Sequence, residues 1–199
     1  SEMCIRDRLN IMGVLSAKLN RLENAAEYIE KAISLEPEFI DGYNNLGNIY
    51  QQSKRFDQAI ESYKKGITLD PLSANLQNNL GCAMKEIGKI DSAIQAFKKA
   101  IELRPRYAEA FNNIGLAYND LKKPDVAIKY LKKAIQISPD YAEAYNNIGN
   151  TQKDLGNIAE AILNGKFGDP MSDVVAKTIA DKLDVFTRFI DQKRIVEAI

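Results

Sequence analysis

The stretch Pro37-Glu38-Phe39-Ile40-Asp41-Gly42-Tyr43-Asn44-Asn45-Leu46-Gly47-Asn48-Ile49-Tyr50 decides the fold, because the chain repeats its pattern. Its centre, Tyr43-Asn44-Asn45-Leu46-Gly47, returns as Gln77-Asn78-Asn79-Leu80-Gly81, Phe111-Asn112-Asn113-Ile114-Gly115 and Tyr145-Asn146-Asn147-Ile148-Gly149. Pro37, Pro71, Pro105 and Pro139 keep the same interval of 34 residues, and a small residue follows each glycine by twelve positions, at Ala59, Ala93, Ala127 and Ala161. A fixed period of this length means a stack of short units, none able to bury its apolar side alone.

Within a unit the apolar residues recur at three and four. Tyr43, Leu46, Gly47 and Tyr50 fall on one face, and Ala59, Ile60, Tyr63 and Ile67 on the next. That spacing predicts amphipathic helices, not strands. In the three complete units a first helix is predicted to reach the region of Gln52, Glu86 or Asp120. A turn follows at Lys54-Arg55, Gly88-Lys89 or Lys122-Lys123, and a second helix continues to Leu69, Leu103 or Ile137. Pro124 opens one second helix, where its missing N–H costs nothing. Pro71, Pro105 and Pro139 stand beyond the last apolar residues and stop theirs. Gly47, Gly81, Gly115 and Gly149 sit inside helices, each at a cost of about 1 kcal/mol relative to Ala. The expected compensation is close approach of the paired helix, with the alanine column opposite and Tyr or Phe beside it.

An aromatic, a Leu/Ile-Gly pair, a small residue and a closing proline at these offsets resemble the tetratricopeptide repeat (TPR) family over residues 9–163. The resemblance implies an all-α solenoid, a right-handed superhelix of antiparallel helix pairs. Residues 9–39 form a degenerate unit, with Gly13, Ala25 and Ala32 in register; complete units cover 40–73, 74–107 and 108–141, and a partial one 142–163. Residues 1–8 resemble a translated transposase adaptor and are expected to be foreign to the native chain, although Leu9 and Met12 just after them already fall in register. The pattern fails after Leu163. Two glycines and Pro170 predict a loop over 164–171, and Ser172 or Asp173 opens a further helical pattern over 172–199. That last helix is expected to cap the stack or to begin a further domain.

Net charge is zero over 199 residues, which gives no basic footprint for nucleic acid. No run of apolar residues is long enough to span a membrane. The chain has no His, so the usual proton shuttle at neutral pH and the commonest metal ligand are both missing. Cys4 and Cys82 are too far apart in sequence to suggest a disulfide framework, which fits a reducing, cytoplasmic location. Phosphate-loop, dinucleotide and calcium-loop spacings all fail. Catalysis, metals and cofactors are therefore not expected of this segment.

The asparagines remain. Helical spacing groups Asp41, Asn44, Asn45, Asn48 and Gln52; Asn75, Asn78, Asn79, Cys82 and Glu86; Glu109, Asn112, Asn113, Leu116 and Asp120; and Glu143, Asn146, Asn147, Asn150 and Asp154. Asn is a mediocre helix former, so eight paired Asn inside helices need an offsetting role. A carboxamide offers two donors and an acceptor, matching a peptide's own N–H and C=O. The column Asn45, Asn79, Asn113 and Asn147 resembles the asparagine ladder of O-linked N-acetylglucosamine transferases, which implies peptide binding on the concave side; Ile11 departs from it. Asn44, Asn78, Asn112 and Asn146 form a second candidate column, with Asn48 and Asn150 beside them. The alternative is that either column bonds within the stack.

The carboxylate-clamp TPRs of chaperone partners hold a peptide terminus with Lys and Arg. Here Asp41, Glu86, Glu109, Asp120, Glu143 and Asp154 outnumber Lys85 and Lys153, so a neutral or basic extended segment is the expected partner. Two other readings stand beside this one: a substrate-presenting region of a larger transferase, and self-association through the stack ends.

Overall fold

A computed structural model describes the backbone of residues 2–163 and the side chains of residues 5–156. Among the described residues nine α-helices follow one another without a strand: α1 (Glu2–Lys18), α2 (Leu22–Leu35), α3 (Ile40–Gln52), α4 (Phe56–Leu69), α5 (Ala74–Glu86), α6 (Ile90–Leu103), α7 (Ala108–Asp120), α8 (Pro124–Ile137) and α9 (Ala142–Leu163). The ends of α3 to α8 fall where the periodicity places them. The chain divides into two compact units, residues 1–148 and 149–199. In the first, consecutive helices from α1 to α8 pack on one another.

Every turn inside a hairpin hinges on one left-handed residue: Asn20 (φ 57°), Lys54 (58°), Gly88 (77°) and Lys122 (57°). Two backbone bonds close each turn. Arg55 N–H donates to the Tyr50 carbonyl at 2.8 Å and Lys54 N–H to that of Gln51 at 3.0 Å; Lys123 and Lys122 repeat this on Tyr118 and Asn119, both at 2.9 Å. This is the Schellman closure, which satisfies the last carbonyls of the first helix. Only glycine adopts this φ without a Cβ penalty. Gly88→Ala is therefore expected to lower stability by about 1 kcal/mol, and Lys122→Gly to raise it by about 0.5–1 kcal/mol. Urea denaturation with an unchanged slope checks both.

The helix starts are mostly uncapped by side chains. An acid in the first turn stands in: Glu23, Asp41, Asp57, Asp91, Glu109 and Asp125 open α2, α3, α4, α6, α7 and α8. Negative charge there complements the partial positive charge of the helix N-terminus. The exception explains itself: α5 has no acid in its first turn, and Ser73 Oγ accepts the Leu76 N–H at 3.4 Å instead.

The in-helix glycines let the two helices of a hairpin close on each other. A Cβ on Gly47 would lie 2.3 Å from the Tyr63 ring, one on Gly81 2.5 Å from Phe97, and one on Gly115 2.6 Å from Leu131. Gly13 adds a fourth case in the degenerate unit, 2.5 Å from Ile29. The bulky residue thus sits on the glycine, while Ala25, Ala59, Ala93 and Ala127, one turn earlier on the same helices, are fully buried. A second small column, Ala32, Gly66, Ala100 and Ala134, admits the next unit: a Cβ on Gly66 would lie 2.9 Å from Leu76 Cδ1.

The last unit departs from this plan. α9 runs from Ala142 to Leu163 without a break, through Gly156, which occupies the turn column of Lys54, Gly88 and Lys122. Gly149 and Ala161 lie on one rod, so the expected opposition between them does not form. A Cβ on Gly149 would meet nothing within 4 Å among the described residues. The sequence supplies the reason: Gly165 stands where Tyr63, Phe97 and Leu131 plug the other hairpins. The loop expected over 164–171 and the helix over 172–199 lie outside the described residues.

At the other end, α1 already includes residues 2–8. Arg6 pairs with Glu36 at 2.5 Å and its guanidinium lies 4.7 Å from the Phe39 ring centre. α1 also leaves Ile11, Met12 and Leu15 exposed, and Leu19 in the turn after it is exposed as well.

Candidate functional site

Adjacent residues on a helix point about 100° apart, so a paired Asn cannot aim both amides the same way. The stack uses that divergence. Asn79 Nδ2 donates to Asn44 Oδ1 at 2.9 Å, Asn113 Nδ2 to Asn78 Oδ1 at 3.0 Å, and Asn147 Nδ2 to Asn112 Oδ1 at 2.9 Å. The second Asn of one unit thus donates to the first Asn of the unit before. Asn45 Nδ2 continues the series to Asn10 Oδ1 at 2.9 Å. Asn10 was missing from the sequence-based set, although counting 34 residues back from Asn44 reaches it.

The first-Asn column is anchored from the following helix as well. Asn78 Nδ2 donates to Glu109 Oε1 at 3.0 Å, and Asn112 Nδ2 to Glu143 Oε1 at 3.2 Å. Both Asn78 and Asn112 are 0 % exposed. The residue three after the second Asn shares the work. Asn48 Oδ1 lies 3.4 Å from Asn79 Nδ2 and accepts the Tyr63 hydroxyl at 2.7 Å, while Cys82 Sγ takes Asn113 Nδ2 at 3.4 Å. Where the glutamate column holds Asn75, its Oδ1 accepts instead from Arg104 at 3.1 Å and from the Tyr107 hydroxyl at 3.2 Å.

These bonds employ the Nδ2 hydrogens of Asn45, Asn79 and Asn113, and all three residues are half-buried. Asn44 is half-buried too, whereas Asn48 and Asn146 are exposed. Asn150 is exposed and belongs to the second compact unit. Along the same helices Asp41, Glu86, Glu109, Asp120 and Glu143 are exposed carboxylates. Lys85 is held among them, with Nζ 3.6 Å from Glu86 and 3.8 Å from Asp120.

Burial pushes the Cys82 thiol up to about 12, helped by the Glu109 carboxylate. It is therefore a protonated thiol at neutral pH, unsuited to nucleophilic work. Among the described residues no group of three His, Cys, Asp or Glu could hold a metal, and no helix is long and apolar enough to cross a membrane.

Tetratricopeptide repeat profiles match residues 40–71 and 108–141, and further TPR profiles match 7–39, 83–122 and 130–163. The chain belongs to the tetratricopeptide repeat family. The profile over 7–39 brings in the degenerate unit as well as the clear ones. Among solved TPR-type structures, a crystal structure of a MamA protein is 30 % identical, with a TM-score of 0.67 over 81 % of this chain and 88 % of that one. The first TPR of Spaghetti (RPAP3), bound to the HSP90 peptide SRMEEVD, is 26 % identical with a TM-score of 0.56, covering 59 % and 93 % of the two chains. PilF of Pseudomonas aeruginosa, at 21 % identity and a TM-score of 0.70 over 98 % and 93 %, shares the tetratricopeptide fold. No match is found among curated proteins.

Proposed function

We propose that this TPR chain, a protein-interaction scaffold, is non-catalytic and takes an extended peptide along the side lined by α3, α5 and α7. The observation that carries the reading is the half-buried asparagine column. The bonds that Asn45, Asn79 and Asn113 make inside the stack run through Nδ2, which leaves Oδ1 to accept a peptide N–H. Neighbouring helices are about 8–10 Å apart and an extended chain rises about 3.3 Å per residue, so one amide per unit meets about every third residue. Asn147 continues the column through its own bond to Asn112, and the exposed Asn48 and Asn146 add polar contacts beside it. Asn44, Asn78 and Asn112 fix the direction of the contacting amides.

The likeness to an RPAP3 domain holding an HSP90 peptide supports a peptide as the class of partner. The local charge supports a neutral or basic one. On α3, α5 and α7 the exposed Asp41, Glu86, Glu109 and Asp120 outnumber the half-buried Lys85, which already pairs with two of them. Panning a random peptide display library against the purified chain is expected to enrich neutral to basic sequences. The peptide SRMEEVD, with three acidic side chains, is expected to bind more weakly than about 1 mM. The double substitution Asn79→Ala and Asn113→Ala is expected to weaken the selected peptide about 5- to 150-fold, equivalent to about 1–3 kcal/mol, with helicity retained. Unchanged affinity per folded molecule would reduce both columns to structural elements.

Self-association through one end has an observation of its own, the exposed Ile11, Met12 and Leu15 of α1 with Leu19 in the turn that follows. Sedimentation velocity at several concentrations tests it, with a concentration-independent monomer as the opposing result.

A further inference from the structure

A cavity of about 290 Å³ opens between α2 and α4 over α3. Its floor is Tyr43, Leu46 and Tyr50, and its rim includes Glu30, Glu61 and Ser62. The volume lies at the bottom of the range for ligand sites, enough for one ring but not for a large molecule.

The chain itself shows what this frame accommodates. Two repeats further on, 68 residues away, Tyr43, Tyr50 and Ser62 correspond to Phe111, Tyr118 and Tyr130. There the Tyr130 ring stacks on Tyr118 at 5.4 Å between centroids and 16° between planes, with Phe111 at 6.4 Å. The matching cradle in the first complete unit lacks its ring, because Ser62 stands in the column of Tyr130 and its hydroxyl turns back to the Gln58 carbonyl at 2.9 Å. The unit between them has no such frame, since Gln77 and Met84 replace the two aromatics and Ala96 the ring.

The rim also changes sign. Glu30 and Glu61 occupy the columns of Lys98 and Lys129. Lys65 pairs with Glu61 at 3.0 Å, and Glu30 accepts the hydroxyl of Tyr50, so the net negative charge of the rim resides at Glu30. An incoming aromatic next to a cation suits this combination, with the ring on the tyrosine frame and the charge on the acids.

The geometry points to this cavity as a docking site for an aromatic side chain of a partner protein that carries a basic residue next to it. The site is separate from the asparagine columns and stands or falls without them.

The test uses the full chain, ¹⁵N-labelled, titrated with acetyl-Lys-Tyr-amide. Saturable shifts are expected at the amides of Glu30, Leu46 and Ser62, with a millimolar dissociation constant, on the order of 1 mM. Acetyl-Glu-Tyr-amide and acetyl-Lys-Ala-amide are expected to bind at least about 5-fold more weakly, about 1 kcal/mol at RT of about 0.6. Ser62→Tyr, which supplies the ring that the chain uses two repeats later, is expected to abolish the shifts while the melting temperature stays or rises. Glu30→Lys with Glu61→Lys is expected to reverse the preference in favour of acetyl-Glu-Tyr-amide, and this arm decides the matter if Ser62→Tyr does not fold. No saturable shift, equal binding of the three peptides, or undiminished binding by folded Ser62→Tyr would overturn the proposal.

Discussion

Phe97→Ala is expected to lower the stability of the stack by about 3–5 kcal/mol. The ring is fully buried and rests where Gly81 has no side chain. Removing it opens a cavity between α5, α6 and α7, and helices locked to neighbours at each edge cannot collapse to refill it. The converse change, Gly81→Ala, puts a methyl group 2.5 Å from a ring carbon and is expected to cost about 1–3 kcal/mol by overpacking. Because the two residues touch, the double variant with both changes should lose less than the sum of the single losses. Hydrogen exchange under native conditions adds a spatial check. Protection should fall first in α5 and α6 and their immediate neighbours, since units in a linear array depend on adjacent interfaces.

The second large effect concerns an amide. Asn112→Ala is expected to cost about 2–4 kcal/mol, unusual for a polar residue. The side chain is fully buried between α7 and α9, where it accepts from Asn147 and donates to Glu143. Truncation removes a charge-assisted bond and strips an acceptor from the next amide, and water cannot easily replace either. Asn112→Asp separates hydrogen bonding from volume. It keeps the size but brings a new carboxylate to a carboxylate oxygen that the native amide approaches to 3.2 Å. Burial and Glu143 both raise the pKa of the introduced acid, so the neutral form is favoured in the folded state. Stability should then be near native at low pH and be lost as pH rises through the acid range, the reverse of a salt-bridged aspartate. Thermal melts at two or three pH values read this directly.

Both effects show how far the sequence could be read. Helix ends were legible because Pro71, Pro105 and Pro139, the turn residues and the apolar spacing act locally, and local rules survive packing. The glycine–ring contact was half legible. The spacing places Tyr63 and Phe97 near Gly47 and Gly81, but which of two residues one turn apart, ring or alanine, sits on the glycine depends on the rotation of α4 and α6. The asparagines were legible as a set and not as a circuit. Their periodicity places Asn44 and Asn45 on one helix flank; it does not reveal that the first is an acceptor turned toward Asn79 and the second a donor turned toward Asn10. That is decided by the offset between successive hairpins. Among the described residues the last unit forms no hairpin, although Gly149 and Ala161 keep their columns, because the residue that should close on the glycine has changed. A glycine promises close packing only if something bulky arrives.

The amide circuit has a consequence for how such a chain can change its length. Its links join residues 35 apart in a sequence whose interval is 34, so every complete module offers one acceptor forward and one donor backward. Copying or excising a whole module leaves all the remaining joints matched, as in removing one car from a train. A gain or loss of one residue inside a first helix rotates the residues after it by about 100° relative to those before it, and uncouples the line at that point. A whole-module duplication is therefore the change in length that this architecture tolerates, and a single-codon slippage the one that it resists.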